Sequence, residues 1–133
     1  MLPYEHLPHR QPFHMLDKAE MDEENRKAKG LRLITANDPV TCPDGSVPQA
    51  YIIEAMAQIS GIASGRCGGS LFAGISDLSL HGTAVAGEVL ELESSVERSM
   101  GSLFMFRAKA SVSGKTIAEG GIMLHFDSDN SAD

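Results

Sequence analysis

Apolar and polar positions alternate along several stretches of the chain and stop alternating along one. Arg26 to Thr35 sets Ala28, Leu31 and Leu33 apart from Lys27, Lys29 and Arg32, an imperfect period of two that predicts a strand. Glu88 to Arg98, Leu103 to Val112 and Thr116 to Phe126 carry the same period. Phe13 to Met21 is expected as a first strand, and Leu71 to Leu80 as another, interrupted at Gly74. Asp22-Glu23-Glu24-Asn25, Ser99-Met100-Gly101-Ser102 and Ser113-Gly114-Lys115 separate these runs, the last a compact hairpin signal. Residues 1–12 form a helical or irregular lead-in ending at Pro12. Asn37-Asp38-Pro39 and Cys42-Pro43-Asp44-Gly45 make residues 36–46 a loop. From Ser46 to about Gly65 the chain is apolar on every side, as a buried helix would be. One long helix among about six strands fits a single antiparallel sheet wrapped around it, an α+β arrangement. Such a sheet keeps an open edge strand, so a homodimer is expected.

One carboxylate, Glu54, interrupts that helix. Removing a carboxylate from water disfavours its charged form unless something pairs with it, so this one is expected to carry chemistry. Gln58 lies four residues on, on the same side, placed to orient it. At the start of the helix, Ser46 and Gln49 fit a capping box. The same helix start offers backbone N–H groups to a developing oxyanion. A cap by Ser46 would occupy the Gln49 N–H.

Composition narrows the field. The chain has 133 residues, enough for one core, expected to span residues 1–127 with 128–133 a disordered acidic tail. A net charge of -7, no Trp and only two Tyr disfavour nucleic acid as a partner. No apolar run reaches the roughly 18 to 20 residues of a membrane span, and no secretory signal is evident. Cys42 and Cys67 lack CxxC spacing, which fits a reducing cytoplasm better than a disulfide framework. No His or Cys sits at zinc-ligand spacing, so no metal is expected.

Two segments then resemble a known family. Leu7-Pro8-His9-Arg10-Gln11-Pro12-Phe13-His14-Met15-Leu16-Asp17-Lys18 resembles the opening of the FabZ-type 3-hydroxyacyl-[acyl-carrier-protein] dehydratases, and Pro48 with Glu54-Ala55-Met56-Ala57-Gln58 resembles their central helix. Ala73-Gly74-Ile75, Ala86-Gly87-Glu88 and the Ser113-Gly114-Lys115 hairpin add weaker matches. The resemblance spans nearly the whole chain and implies the hotdog fold, a sheet wrapped around one long central helix. It departs at the family's catalytic His, carried in a Gly-His-Phe-Pro segment before the acidic residue. Here that position is Val40, and no His occurs between His14 and His81. Asp44, Gly45, Pro48, Glu54, Met56, Ala57 and Gln58 look more like the dehydratase-like hotdog proteins of aryl-polyene gene clusters.

The resemblance implies dehydration of a 3-hydroxyacyl chain on acyl carrier protein, without a cofactor, in fatty acid or polyene biosynthesis. Glu54 would be the acid, Gln58 its orienting partner and the Gln49 N–H the donor to the thioester oxygen. His9 is the candidate base, against a reading as tunnel wall, since Leu7, Pro8, Pro12, Phe13 and Tyr51 are expected to line the acyl tunnel. His14, His81 and His125 are assigned to surface or packing, and Asp44 to turn chemistry. Cys42 is a weak candidate nucleophile. Arg10, Lys18, Arg66, Arg107 and Lys109 are the cations available to an acidic carrier protein. Gly61 and Gly65 are expected to permit close packing. The expected assembly is a homodimer, with a trimer of dimers or a hetero-partner hotdog subunit as alternatives. Two other functions stay open: a non-catalytic acyl-binding or assembly subunit, and a hotdog acyl thioesterase.

Overall fold

The structure is a computed structural model and describes residues 16–37, 41–66 and 70–126. In chain order these form β1 (Lys18–Asp22), β2 (Lys27–Leu33), α1 (Gln49–Ala63), β3 (Ser70–Leu80), β4 (Val89–Met100), β5 (Leu103–Val112) and β6 (Lys115–Phe126). All six strands join one antiparallel sheet in the order β1-β2-β4-β5-β6-β3.

The period of two in each strand puts one set of side chains against the helix. Ala28, Leu90, Leu92, Phe104, Phe106, Ala108, Ala110, Ile122 and Leu124 are buried on that face, opposite Ile52, Ala55, Met56 and Ile59 of α1. Gly30 lets helix and sheet approach, since a Cβ there would lie 3.1 Å from Ile59 Cδ1. One polar link crosses this core. Ser60 Oγ donates to Met56 O at 2.8 Å and shares a hydrogen bond with Ser94 Oγ at 2.8 Å.

The outer face carries charge instead. Glu20, Lys29, Glu93, Lys109 and Glu119 sit side by side across five strands, alternating in sign, and Lys109 Nζ lies 3.0 Å from Glu93 Oε1. Opposite charges directly across neighbouring strands support one register over its slipped alternatives.

β4, β5 and β6 lie within two residues of their expected bounds. The first strand is shorter than expected, beginning at Lys18, and the expected start at Phe13 lies outside the described residues. The helix begins at Gln49 rather than Ser46, and Pro48 occupies its N-cap with no side-chain capping bond. The Ser46–Gln49 capping box is therefore absent. Asp44 explains this: its Oδ1 accepts from both Ser46 N (3.0 Å) and Ser46 Oγ (2.7 Å). Pro48 also biases Val47 towards extended backbone, which delays the helix. At the other end Gly65 lies beyond the helix at φ 73°, its N–H donating to Ile62 O at 3.0 Å. It ends the helix there, and it also permits a close approach, since a Cβ at Gly65 would lie 3.2 Å from Met21 Cε.

β3 is an edge strand of 11 residues with register shifts at Phe72/Gly74 and Ser76/Ser79. The second shift holds Asp77 at φ 50° and fits because β6 presents Gly120 and Gly121 beneath it. Phe72, Ile75 and Leu80 pair with Leu124, Ile122 and Ala118, so they share the helix-facing side of the sheet. They nevertheless remain 42%, 41% and 39% exposed.

Candidate active site

Two segments far apart in sequence build the start of α1. Val47 N donates to Ala84 O at 3.1 Å, Ala86 N to Gly45 O at 2.7 Å, and Ser46 forms a β-bridge with Val85. Thr83 Oγ1 donates to Val47 O at 2.5 Å, and Gln49 Nε2 donates to Gly82 O at 3.3 Å. The loop is held in turn by Cys42 N to Ser46 O (2.7 Å) and Gly45 N to Cys42 O (2.9 Å).

This construction leaves the first helical N–H groups pointing out of the helix. Gln49, the first residue of α1, has no preceding helical carbonyl to donate to, and Pro48 offers no capping side chain. The Ser46 hydroxyl that would have competed for this N–H is engaged with Asp44. Both hydrogen bonds from Ser46 hold the Asp44 carboxyl below its ordinary range. Among the described residues no side chain caps this positive helix end, which suits it to receiving negative charge.

Glu54 follows Gln49 by five residues, about 7.5 Å along the helix axis. Sequence reading expected it in the core, yet it is only half-buried. Gln49 and Ala50 are exposed and Ile53 is half-buried, while every other residue of the helix is buried. Glu54 thus belongs to the one stripe of α1 that its own sheet leaves open. Gln58, one turn on, is buried, as is Tyr51. The helix stripe and the apolar side chains of β3 both lie open on the helix side of the sheet.

His9, Leu7, Pro8, Pro12, Phe13, Arg10 and His14 lie outside the described residues, as does Val40. Of the two histidines that are described, His81 is exposed, with its N–H donating to Ile117 O at 2.7 Å. It directly precedes Gly82, whose carbonyl receives the Gln49 side chain, so the chain passes the helix start one residue after this histidine. His125 Nε2 lies 3.1 Å from Ser102 Oγ, on the outer face. Thr83, Gly82 and His81 were missed as neighbours of the site. Only long-range hydrogen bonds join them to residues 47–49, and no local spacing signals them.

The Cys42 thiol is free and half-buried. Among the cations, Lys109 pairs with Glu93, which raises its pKa. Arg66 stacks over the rings of Phe104 (5.6 Å) and Phe126 (5.4 Å) at the other end of the helix. No group of His, Cys, Asp or Glu among the described residues could hold a metal ion. No helix among them is long and apolar enough to cross a membrane.

One helix enclosed by a six-stranded antiparallel sheet is the hotdog architecture, and solved structures share it. A chain of the dehydratase heterocomplex ApeI:P from Xenorhabdus doucetiae superposes with TM-score 0.84 at 18% identity, covering 99% of this chain and 95% of that one. A hypothetical thioesterase with coenzyme A from Streptococcus pneumoniae gives 0.67 at 12% identity, covering 85% and 92%. These likenesses concern the fold. Sequence supplies the family. The 3-hydroxyacyl-[acyl-carrier-protein] dehydratase FabZ of Listeria monocytogenes is 36% identical over 129 residues, spanning 89% of this chain and 88% of its own. The FabZ of Herpetosiphon aurantiacus is 34% identical over 127 residues, spanning 89% and 90%. No family model matches. The chain belongs to the FabZ 3-hydroxyacyl-[acyl-carrier-protein] dehydratase family.

Proposed function

We propose that this chain removes water from a 3-hydroxyacyl thioester carried on acyl carrier protein, giving the trans-2-enoyl thioester. The observation that carries the reading is the uncapped Gln49 N–H followed, on the open stripe of the same helix, by Glu54. A base takes the proton next to the thioester carbonyl, and charge builds on the carbonyl oxygen, where the Gln49 N–H receives it. The carbon–oxygen bond to the 3-hydroxyl then breaks, and Glu54 gives its proton to the departing oxygen. The products are one enoyl thioester and one water, with no change of oxidation state. Gln58 orients Glu54, and His9 is the base in place of the imidazole absent at Val40. Leu7, Pro8, Pro12, Phe13 and Tyr51 line the acyl tunnel.

The working form is a cytoplasmic homodimer joined through β3. Pairing two such edges would satisfy their outward N–H and C=O groups and cover Phe72, Ile75 and Leu80, which are partly exposed on the helix side of the sheet. The substrate is a fatty acyl or polyene-type intermediate.

Purified protein incubated with 3-hydroxyacyl-acyl carrier protein should release water, seen as an 18 Da mass loss from the acyl chain. Glu54→Gln should abolish this, and His9→Ala should reduce it about 100-fold or more. Full activity in His9→Ala together with loss in His81→Ala would move the base to His81. No product in any form of the assay, beside an active FabZ control, removes the reading.

The Val at position 40 favours one other reading, a non-catalytic subunit that completes a hotdog partner retaining the Gly-His-Phe-Pro segment. A tagged chain that recovers such a partner, with dehydration appearing only in the mixture, would establish it.

A further inference from the structure

We infer that Thr83 is the positioning residue for the thioester-oxygen donor: its hydroxyl fixes the peptide in front of α1 and so aims the Gln49 N–H. The inference rests on the role proposed above for Gln49. Val47 stands one residue before the N-cap, so its carbonyl lies outside the helical hydrogen-bond ladder. Thr83 Oγ1 donates to that carbonyl at 2.5 Å, and the next residue, Ala84, accepts from the Val47 N–H at 3.1 Å. Both polar groups of Val47 are therefore tied to consecutive residues of the segment joining β3 to β4.

Pro48 follows, with φ locked by its ring at -62°. On its far side the Gln49 side chain donates to Gly82 O at 3.3 Å. Three consecutive residues, Gly82, Thr83 and Ala84, thus hold both flanks of Pro48. The Pro48–Gln49 peptide, which carries the donor N–H, is left little freedom to turn. A donor in an oxyanion site must already be aimed when charge develops, because reorienting it then costs rate. Of the three ties, only the one from Thr83 can be removed without touching Gln49 or the backbone.

Thr83→Val keeps the shape of the side chain and deletes the hydroxyl. The expected result is a fall in kcat of about 10- to 100-fold, part of the loss from deleting a donor, with KM within about twofold. Thr83→Ser restores the donor and should recover most of kcat. A second readout needs no activity: amide hydrogen exchange at Val47 and Tyr51, both bonded in this assembly, should quicken in Thr83→Val. Exchange at Ile122 and Leu124 should stay unchanged. Unaltered exchange at Val47 and Tyr51 overturns the inference, as does faster exchange with kcat unchanged. A fall in KM-dependent terms alone, or failure of Thr83→Ser to rescue, overturns it as well. A wild-type chain that dehydrates nothing removes the Gln49 role and this inference together. Loss of rate in Gln49→Pro but not in Thr83→Val removes the inference alone.

Discussion

Replacing Gln49 by Pro tests the oxyanion donor without dismantling the helix that presents it. Proline is well tolerated at the first helical position, because the N–H it lacks has no helical acceptor there. The preceding residue must then be extended, and Pro48 already is, at ψ 145°. Gln49 is exposed, which leaves room for the ring. Two things are lost together: the backbone N–H and the side-chain bond to Gly82 O at 3.3 Å. Gln49→Ala loses only the second, so the difference between the two variants isolates the N–H. The side-chain bond is long and near the surface, so its loss should cost at most about 1 kcal/mol of stability in either variant. Deleting one oxyanion donor, by contrast, should cost roughly 100- to 1000-fold in kcat, about 2.7–4 kcal/mol. The assay is enoyl-thioester formation from 3-hydroxyacyl-acyl carrier protein at saturating substrate, with melting temperatures recorded alongside. Equal kcat in the Pro and Ala variants would show that the N–H receives no charge in the transition state.

Four further outcomes follow from the fold. If two chains join through β3, the protein should sediment as a dimer, and Ile75→Lys should give monomers with the same far-UV spectrum. A dimer that persists in Ile75→Lys would place the interface elsewhere. In the core, the Ser60 proton goes to Met56 O, so Ser94 donates to Ser60. Ser60→Ala then strands a buried donor and should cost about 1–3 kcal/mol, Ser94→Ala less, and the double variant less than Ser60→Ala, measured by urea unfolding. Gly120→Ala would put a Cβ 2.8 Å from Leu78 Cα, a backbone atom that cannot swing aside, so about 1–3 kcal/mol of stability should be lost. The Asp44 carboxyl, held below its ordinary value of 3.8 by Ser46, stabilises the fold above that value and loses this contribution as pH falls through its lowered folded value. Asp44→Ala should accordingly melt below wild type at neutral pH, with the gap closing under acid titration below pH 3.8.

Strand β5 and the first half of β4 were legible because burial alternates along them, so a period of two in sequence maps directly onto the sheet. Strand β6 keeps the pattern towards its end, although both of its faces are partly buried. Their turns were legible for a local reason too: Gly101, Ser113 and Gly114 adopt the positive φ that tight turns require. The start of α1 was less legible because two local motifs claimed one hydroxyl. Ser46 matched a capping box with Gln49 and also sat two residues after Asp44, and nothing in the spacing ranks these. Pro48 favours extended backbone at Val47, whose N–H reaches Ala84 O while Ser46 bridges to Val85, more than 30 positions away, where a local pattern has no reach.

Glu54 shows the same limit at the scale of the fold. An all-apolar helix predicts burial all round, but which side the sheet leaves uncovered depends on which strand ends it. Here the sheet stops at β3, a long edge whose Phe72, Ile75 and Leu80 still face the helix side without being covered. If the proposed dimer joins through β3, its second chain covers that edge, and the proposed site requires that it cover Glu54 as well. On that proposal, closing the edge also withdraws water from the acid. Stability and dehydration rate should then fall together on dilution through the dissociation range. A rate per chain that stays constant while the dimer dissociates would show that one chain holds its whole active site.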